Sequence, residues 1–412
     1  MTNIPNLTED GAAVSSADRV VLAYSGGVDT TACIPYLKQE LGCKFVVAMA
    51  ADLGQGDELE PIREKALLAG ADVAVVVDAK ERFVREFGFP AIQANALYDA
   101  HYPLSSALGR PLIGELLVDT AHEYGCGAVA HGCTGKGNDQ VRLDLAATLL
   151  DPNLTILAPA RLWDFSRAET IAYSEKFGIP SHVTKEKPWA IDLNILGRNV
   201  EAGLIEDLQW EPTEEVWSLT TSVEETPDRP AYVSIEFAEG MPTTIDGETL
   251  SPLLLMTRLN ALAGTHGIGR VDMIENRVVG LKSRELYEVP GMHLLIQAHR
   301  ELENLVLPAD VLAHKATVDS TYAKLIYDGL WYGPLKRALD AFIRDTQQFV
   351  TGEIKLKLFK GTSTIVGRTA PKAMYRPELV TYGAESTFNQ KSAEGFIDIF
   401  GLSSRVWSQT HG

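Results

Sequence analysis

Residues 21–31 read VLAYSGGVDTT: an apolar run, then Ser25, Gly26 and Gly27, then Asp29, Thr30 and Thr31. Adjacent glycines let backbone N–H groups approach an oxyanion closely, because no Cβ stands in the way. A helix starting at this point adds unpaired N–H donors and a partial positive charge, which together favour phosphate. Ser25, Thr30 and Thr31 add hydroxyl donors, while Asp29 can cap the helix or sit near a bound Mg2+. The competing reading is a tight strand–helix turn with no ligand, and three residues alone leave the two balanced. No G-x-x-x-x-G-K-[ST] occurs anywhere in the chain, so this is not a Walker-type P-loop. GCGAVA (125–130) fits a relaxed dinucleotide pattern, but it precedes a strand instead of following one and is set aside as chance.

A second stretch, HGCTGKGNDQVR (131–142), carries glycine at 132, 135 and 137. Such a backbone can fold closely over a ligand. Thr134, Asn138, Asp139, Gln140 and Arg142 supply donors and acceptors of both charges. Arg142 can take a carboxylate bidentately. A solvated polar loop is the plain alternative, but loops this dense in glycine and hydrogen-bonding groups are more often functional. The nine histidines are scattered and form no Ser/His/Asp or Cys/His set; His131 reads as a loop-positioning residue. No metal ligand set is proposed.

These loops need elements to hold them. RVVLAY (19–24), KFVVAMA (44–50), DVAVVVDA (72–79), GAVAHG (127–132) and LTILAP (154–159) are short Val- and Ile-rich runs separated by helical stretches. Runs apolar throughout, alternating with helices, predict a parallel sheet covered on both faces, hence an α/β first domain. SRAETIAYSEKFG (166–178) opens with Ser166 and Glu169 at capping-box spacing, ends on Gly178 and Pro180, and is expected to close that domain. Pro35 should kink the first helix or end its first segment near Ile34. The second half alternates differently. In AYVSIEFAEG (231–240), Val233, Ile235 and Phe237 fall on one face, as in a half-buried antiparallel strand. SPLLLMTRLNALAGTHG (251–267) is a helix with Ser251 at its cap and Pro252 in its first turn. Further strands, helices and a hairpin make this an α+β domain, set off by KEKPWAIDLN. From about residue 370 an extended arm ends in GFIDIFGLSSRVWSQ, ready to dock on a neighbouring subunit or back on its own chain.

Length and charge agree. At 412 residues the chain exceeds the ~250–300 residues one core supports, so two domains are expected. With 37 basic against 55 acidic residues and a net charge of −18, a long nucleic acid is not an expected partner. Cys33, Cys43, Cys126 and Cys133 form no C-x-x-C pair, which excludes a zinc ribbon or a disulfide scaffold. No run approaches the ~20 apolar residues of a membrane span. The polar, acidic first 18 residues lack the pattern of a signal peptide. A cytoplasmic location is expected.

AYSGGVDTT resembles the S-G-G-x-D-[ST] signature of the PP-loop, or N-type, ATP pyrophosphatases. That resemblance implies a loop that holds the β,γ-pyrophosphate of ATP while a substrate attacks the α-phosphate. HGCTGKGNDQVR narrows the group, since it is similar to the corresponding segment of argininosuccinate synthetases. ALYDAHYPLSSALGRP (96–111), GQGDELEPIREKALLAGA (54–71), MIENRVVGLKSRELYEVPG (273–291) and KLKLFKGTSTIVGR (355–368) agree, so the likeness spans about residues 18–405. It implies AMP-forming condensation of citrulline and aspartate through a citrullyl-adenylate, with ATP and Mg2+. Carried over position by position, Ala23, Tyr24, Ser25, Gly26, Gly27, Val28, Asp29, Thr30, Thr31, Ala51 and Gly132 would bind ATP. Thr134, Asn138 and Asp139 would bind aspartate; Tyr102, Asn138, Arg142, Glu275 and Tyr287 would bind citrulline. Asp29 and Arg142 would position the transition state. The implied organisation is a disordered extension (1–17), a nucleotide-binding PP-loop domain (18–185), a synthetase domain (186–369) and a C-terminal oligomerisation arm (370–412), exchanged between subunits of a homotetramer.

Ala190 and Asn199 stand where the family often has citrulline-contacting serines, and Ser106-Ala107 stands where other members have Thr-Ser. Each lost hydroxyl could weaken citrulline binding by ~0.5–1.5 kcal/mol, roughly two- to tenfold, unless water or Asn199 substitutes. Two other readings compete: another PP-loop ligase or tRNA-modifying enzyme, and a non-catalytic ATP- or amino-acid-binding homologue. The absence of C-x-x-C and the acidic charge disfavour the first; the intact AYSGGVDTT and TGKGND strings disfavour the second.

Overall fold

A computed structural model describes residues 18–56, 59–163, 165, 167–177, 179 and 189–412. The N-terminal extension, the cap at Ser166, the helix end at Gly178 and Pro180, and the 185/186 boundary lie outside the described residues. The first half builds on five strands: β1 (Arg19–Ala23), β2 (Phe45–Asp52), β3 (Val73–Asp78), β4 (Ala128–His131) and β5 (Thr155–Leu157). They lie in the order β3-β2-β1-β4-β5, every pair parallel. Both faces are buried, as runs without polar alternation require. Val20, Leu22, Val46 and Ala48 pack with Cys33, Ile34 and Leu37 of the helix Val28–Gln39 on one face. Val21, Val47, Met49 and Val129 face the other way, into the larger core.

Pro35 does not end that helix near Ile34; the helix runs on to Gln39. Proline removes one hydrogen bond to the preceding turn, but Ile34 and Leu37 on either side are fully buried, and their packing holds the second half.

The second half contributes β6 (Ala190–Asn194), β7 (Gly197–Glu201), β8 (Ala231–Ala238), β9 (Met241–Ile245), β10 (Glu248–Thr249), β11 (Arg270–Asn276), β12 (Lys282–Glu288), β13 (Gly352–Phe359) and β14 (Thr362–Thr369). They form two antiparallel sheets, β11-β12-β7-β6 and β10-β9-β8-β13-β14. Val233, Ile235 and Phe237 of β8 are buried, with their neighbours facing outward. Ser251 caps the helix Pro252–Thr265 by accepting from the Leu254 amide at 3.4 Å. This is the expected α+β part. Its core is continuous with that of the first half: Leu294, Leu295 and Tyr287 belong to the same apolar cluster as Val21 and Leu108. The turn between β6 and β7 is docked on the first half as well, through Ile195 N–H to Leu53 O at 2.8 Å and Asn194 Nδ2 to Ser105 O at 3.0 Å.

The chain ends in an arm carrying the helices Ser392–Phe400 and Leu402–His411, neither of which has a buried residue. Among the described residues no helix is long and apolar enough to cross a membrane.

Candidate active site

In this strand order β1 has β2 on one side and β4 on the other, so the connections leave its C-terminal end in opposite directions. Open α/β sheets bind ligands at that switch point. The turn after β1 and the loop after β4 both open there, into a cleft of about 1060 Å3 walled by both halves of the chain. Every predicted site residue except Gly26 and Thr31 lines it.

Those two residues build the turn from behind. Gly26 has φ +75°, a left-handed conformation, and an added Cβ would sit 3.2 Å from Ile62. Its carbonyl accepts from Lys65 Nζ at 2.6 Å, which ties the turn to the helix Leu59–Leu68. Thr31 turns inward, donating to Gly27 O at 2.7 Å and lying 3.1 Å from the Tyr24 hydroxyl. Ser25 Oγ and Thr30 Oγ1 meet at 3.0 Å on the cleft side. Gly132 fills the gap opposite, where a Cβ would lie 3.0 Å from Thr30 Cγ2 and 3.2 Å from Cys33 Sγ. Only glycine lets the chain after β4 come this close to the first turns of the helix Val28–Gln39.

The loop after β4 is held by His131. Its Nδ1 accepts from the Cys133 amide at 3.2 Å, and its Nε2 faces Asp144 Oδ1 at 2.7 Å. Beyond it, Asp139 begins the helix Asp139–Leu150 and meets two guanidinium groups, Arg110 at 2.7 Å and Arg142 at 3.0 Å. Arg110 also reaches Asp192 of β6 at 2.7 Å. Burial alone would raise the Asp139 carboxyl, but Arg110 and Arg142 outweigh it and hold the group down at about 2. Asp139 therefore stays ionised throughout the neutral range.

Glu275 of β11 faces this loop from the second half, buried. The hydroxyls of Tyr287 and Tyr327 donate to its two carboxylate oxygens, the latter at 2.6 Å. Asn138 Nδ2 donates to the Tyr327 hydroxyl at 2.9 Å, and Arg142 Nε donates to the Tyr327 carbonyl at 2.9 Å. Two stacked pairs brace the cage: Tyr102 on Tyr287 at 3.7 Å and Tyr98 on Tyr327 at 3.6 Å. Burial pushes the Glu275 carboxyl above its ordinary range, partly offset by the two tyrosine hydroxyls. The cage can take an ammonium group at Glu275, an arrangement in which a carboxylate and aromatic faces surround a cation.

The arrangement thus offers a phosphate grip, an ion-paired polar loop and an acidic aromatic cage around one space. Sequence comparison decides what such a site belongs to. Residues 19–180 match the arginosuccinate synthase N-terminal HUP domain and residues 189–407 the arginosuccinate synthase C-terminal domain. The argininosuccinate synthase of Synechococcus elongatus is 59% identical over 395 residues, covering 96% of this chain and 99% of that protein. That of Thermosynechococcus vestitus is 59% identical over 393 residues, covering 95% and 98%. The chain belongs to the argininosuccinate synthase family. Its activity is argininosuccinate synthase activity in arginine biosynthesis, that of an AMP-forming ligase with ATP as a substrate.

Within the family frame, the departures at 190 and 199 are informative. Ala190 and Asn199 both line the cleft. Asn199 is paired in register with Tyr287 and Asp192, and its Oδ1 is buried without a hydrogen-bond partner among the described residues. Ser106 Oγ, also in the cleft wall, is likewise buried without one among them. Sequence reasoning missed Arg110, Asp192, Tyr327 and the group Glu201, Arg277 and Glu285. Arg110, Arg277 and Glu285 lay inside the strings that carried the family likeness, so charge in those strings was an available signal. For Tyr327, at the end of the helix Ala309–Tyr327, no local signal existed.

Proposed function

We propose that the turn Ala23–Thr31, with Ala51 and Gly132, binds ATP, that Thr134, Asn138 and Asp139 bind aspartate, and that Tyr102, Asn138, Arg142, Glu275 and Tyr287 bind citrulline. The observation that carries this reading is that the phosphate turn, the loop 131–142 and the tyrosine cage open on one cleft. Citrulline's ureido carbon resists amines because its oxygen is a poor leaving group. The ureido oxygen attacks the α-phosphorus of ATP, giving a citrullyl-adenylate and pyrophosphate. The aspartate amine then attacks the activated carbon and AMP leaves. Donors in the Ser25–Gly27 turn stabilise the pyrophosphate as its charge develops. Asp29 and Arg142 position the reacting groups, and no protein nucleophile is needed. Asp29, the turn's one carboxylate and a residue of the cleft wall, would hold Mg2+, which would supply screening of phosphate charge.

Incubation with Mg-ATP and citrulline, with and without aspartate, tests the reading. The expected products are AMP and stoichiometric pyrophosphate in an aspartate-dependent turnover; ADP and phosphate would sink it. Asp139→Ala is expected to abolish turnover with aspartate while ATP binding, read by equilibrium dialysis, survives. Loss of ATP binding as well would remove Asp139 from the aspartate site. The exposed apolar arm supports a homotetramer with exchanged arms, and the acidic composition supports a cytoplasmic location.

A further inference from the structure

Among the described residues of the cleft wall, one cluster sets two carboxylates against a single arginine. Arg110 and Arg142 serve Asp139 and Asp192, two cations for two carboxylates. Arg198 serves Glu288 at 2.9 Å. Arg277 alone serves two carboxylates, Glu285 at 2.9 Å and Glu201 at 3.2 Å. Glu285, on β12, is 2% exposed; its Oε1 takes Arg277 and the Ser283 hydroxyl, while Oε2 has no hydrogen-bond partner among the described residues. Both glutamates and Arg277 are in the cleft wall. A buried carboxylate oxygen without a donor is costly, and a surplus negative charge in a cleft is relieved by taking up a proton or by a cationic ligand.

The placement says which ligand. Arg277 Nη1 donates to Lys136 O at 3.3 Å and Val278 N–H donates to Asn138 Oδ1 at 2.8 Å. Arg277, which holds both glutamates, is therefore seated against the loop that carries Thr134, Asn138 and Asp139. Asp139 already has both oxygens engaged by arginine, so it is the weaker place for a substrate ammonium. We propose that Glu201 and Glu285, clamped by Arg277, hold the ammonium group of the substrate aspartate and that Glu201 accepts its proton, a step that rests on the aspartate site assigned above.

The balance is as follows. The ammonium proton passes to Glu201, which becomes a carboxylic acid, and the nitrogen lone pair is freed. The nitrogen forms its bond to the activated carbon, and the bond from that carbon to the AMP oxygen breaks with its electron pair on the leaving phosphate. The second proton on nitrogen goes to that phosphate, leaving a guanidinium product. Glu285 offers Oε2 as a second acceptor.

Glu201 is suited to this role. Burial, then Glu285 and Asp139 nearby, raise its carboxyl to about 7 against the lowering by Arg277, with Asp192 adding to the rise. Its side chain is 43% exposed, which screens part of the burial effect. The groups facing it come from β6 (Asp192), β12 (Glu285), the turn after β11 (Arg277) and the start of the helix Asp139–Leu150 (Asp139).

Two readouts separate this step from the one before it: citrulline-dependent exchange of pyrophosphate into ATP, which needs no aspartate, and aspartate-dependent AMP release. In the wild type, kcat/KM for aspartate is expected to rise with pH through about 7, as Glu201 loses its proton. Glu201→Gln is expected to lower kcat by about 10²-fold or more and abolish that rise. Its exchange rate should stay within about twofold of wild type, and Glu201→Asp should restore part of kcat together with the pH limb. Glu285→Gln should raise KM for aspartate about tenfold with exchange intact. A Glu201→Gln enzyme with wild-type kcat and an unchanged pH limb overturns the proposal, and so does one that loses exchange and AMP release in equal measure. Wild-type protein without exchange would instead overturn the citrulline-activation reading beneath it.

Discussion

At the scale of single residues, the proposed citrulline pocket departs from the family pattern. Two hydroxyls expected from the family are replaced by Ala190 and Asn199, and the Asn199 Oδ1 is buried with no hydrogen-bond partner among the described residues. An acceptor of this kind in a cleft is worth a hydrogen bond once a ureido N–H arrives, so under the proposed citrulline site Asn199 would take over part of the role of the hydroxyl. Asn199→Ala is accordingly expected to raise KM for citrulline roughly two- to tenfold, the loss of one such bond. Ala190→Ser should lower KM by a similar factor, because it adds a donor where the wall now has a methyl group. Steady-state kinetics with citrulline varied would show both; an unchanged KM in both variants means that water makes these contacts.

At the scale of elements, the ion network depends on how closely two helices cross. A Cβ on Gly114, in the helix Ser105–Glu123, would lie 2.5 Å from Ala146 Cβ, in the helix Asp139–Leu150. Arg110 lies one turn before Gly114 and Arg142 one turn before Ala146, so the crossing sets the spacing of both arginines around Asp139. Gly114→Ala should force the helices apart and cost ~1–3 kcal/mol, read from the denaturation midpoint. The same variant should raise KM for aspartate more than KM for ATP, since the phosphate turn is built by other elements. Equal stability to wild type would show that the pair yields without strain. The elements themselves were largely legible, because strands buried on both faces must be apolar throughout and β8 must alternate. The helix does not end before Pro35, because a local rule about one hydrogen bond was outweighed by the burial of Ile34 and Leu37.

At the scale of the whole molecule, the C-terminal arm is the open question that the fold poses most sharply. Phe396 is 62% exposed, Ile399 80%, Phe400 76% and Trp407 65%. Exposed large apolar side chains in this number mark a docking face. Light scattering of the intact chain is expected to give a multiple of its 44.9 kDa, and removal of residues 371–412 should lower it. An intact chain that scatters as a monomer would rule out an arm exchanged between subunits.

What the sequence determined alone is whatever chemistry is written in consecutive residues. The glycine turn at 25–27, the glycine-rich loop at 131–142 and the alternation of strands with helices all fall in this class, because a backbone shape or a buried face is specified by neighbours in the chain. The structure decided which charges meet. Arg110 finds Asp192 across 82 positions, and Asn138 finds Tyr327 across 189. Such pairings leave no local trace, since a charged or aromatic side chain looks the same in sequence whether it is solvated or buried against a partner. The surplus carboxylate at Glu201 and Glu285 is of this second kind: three residues on two strands and a turn acquire a net charge only when the fold puts them together.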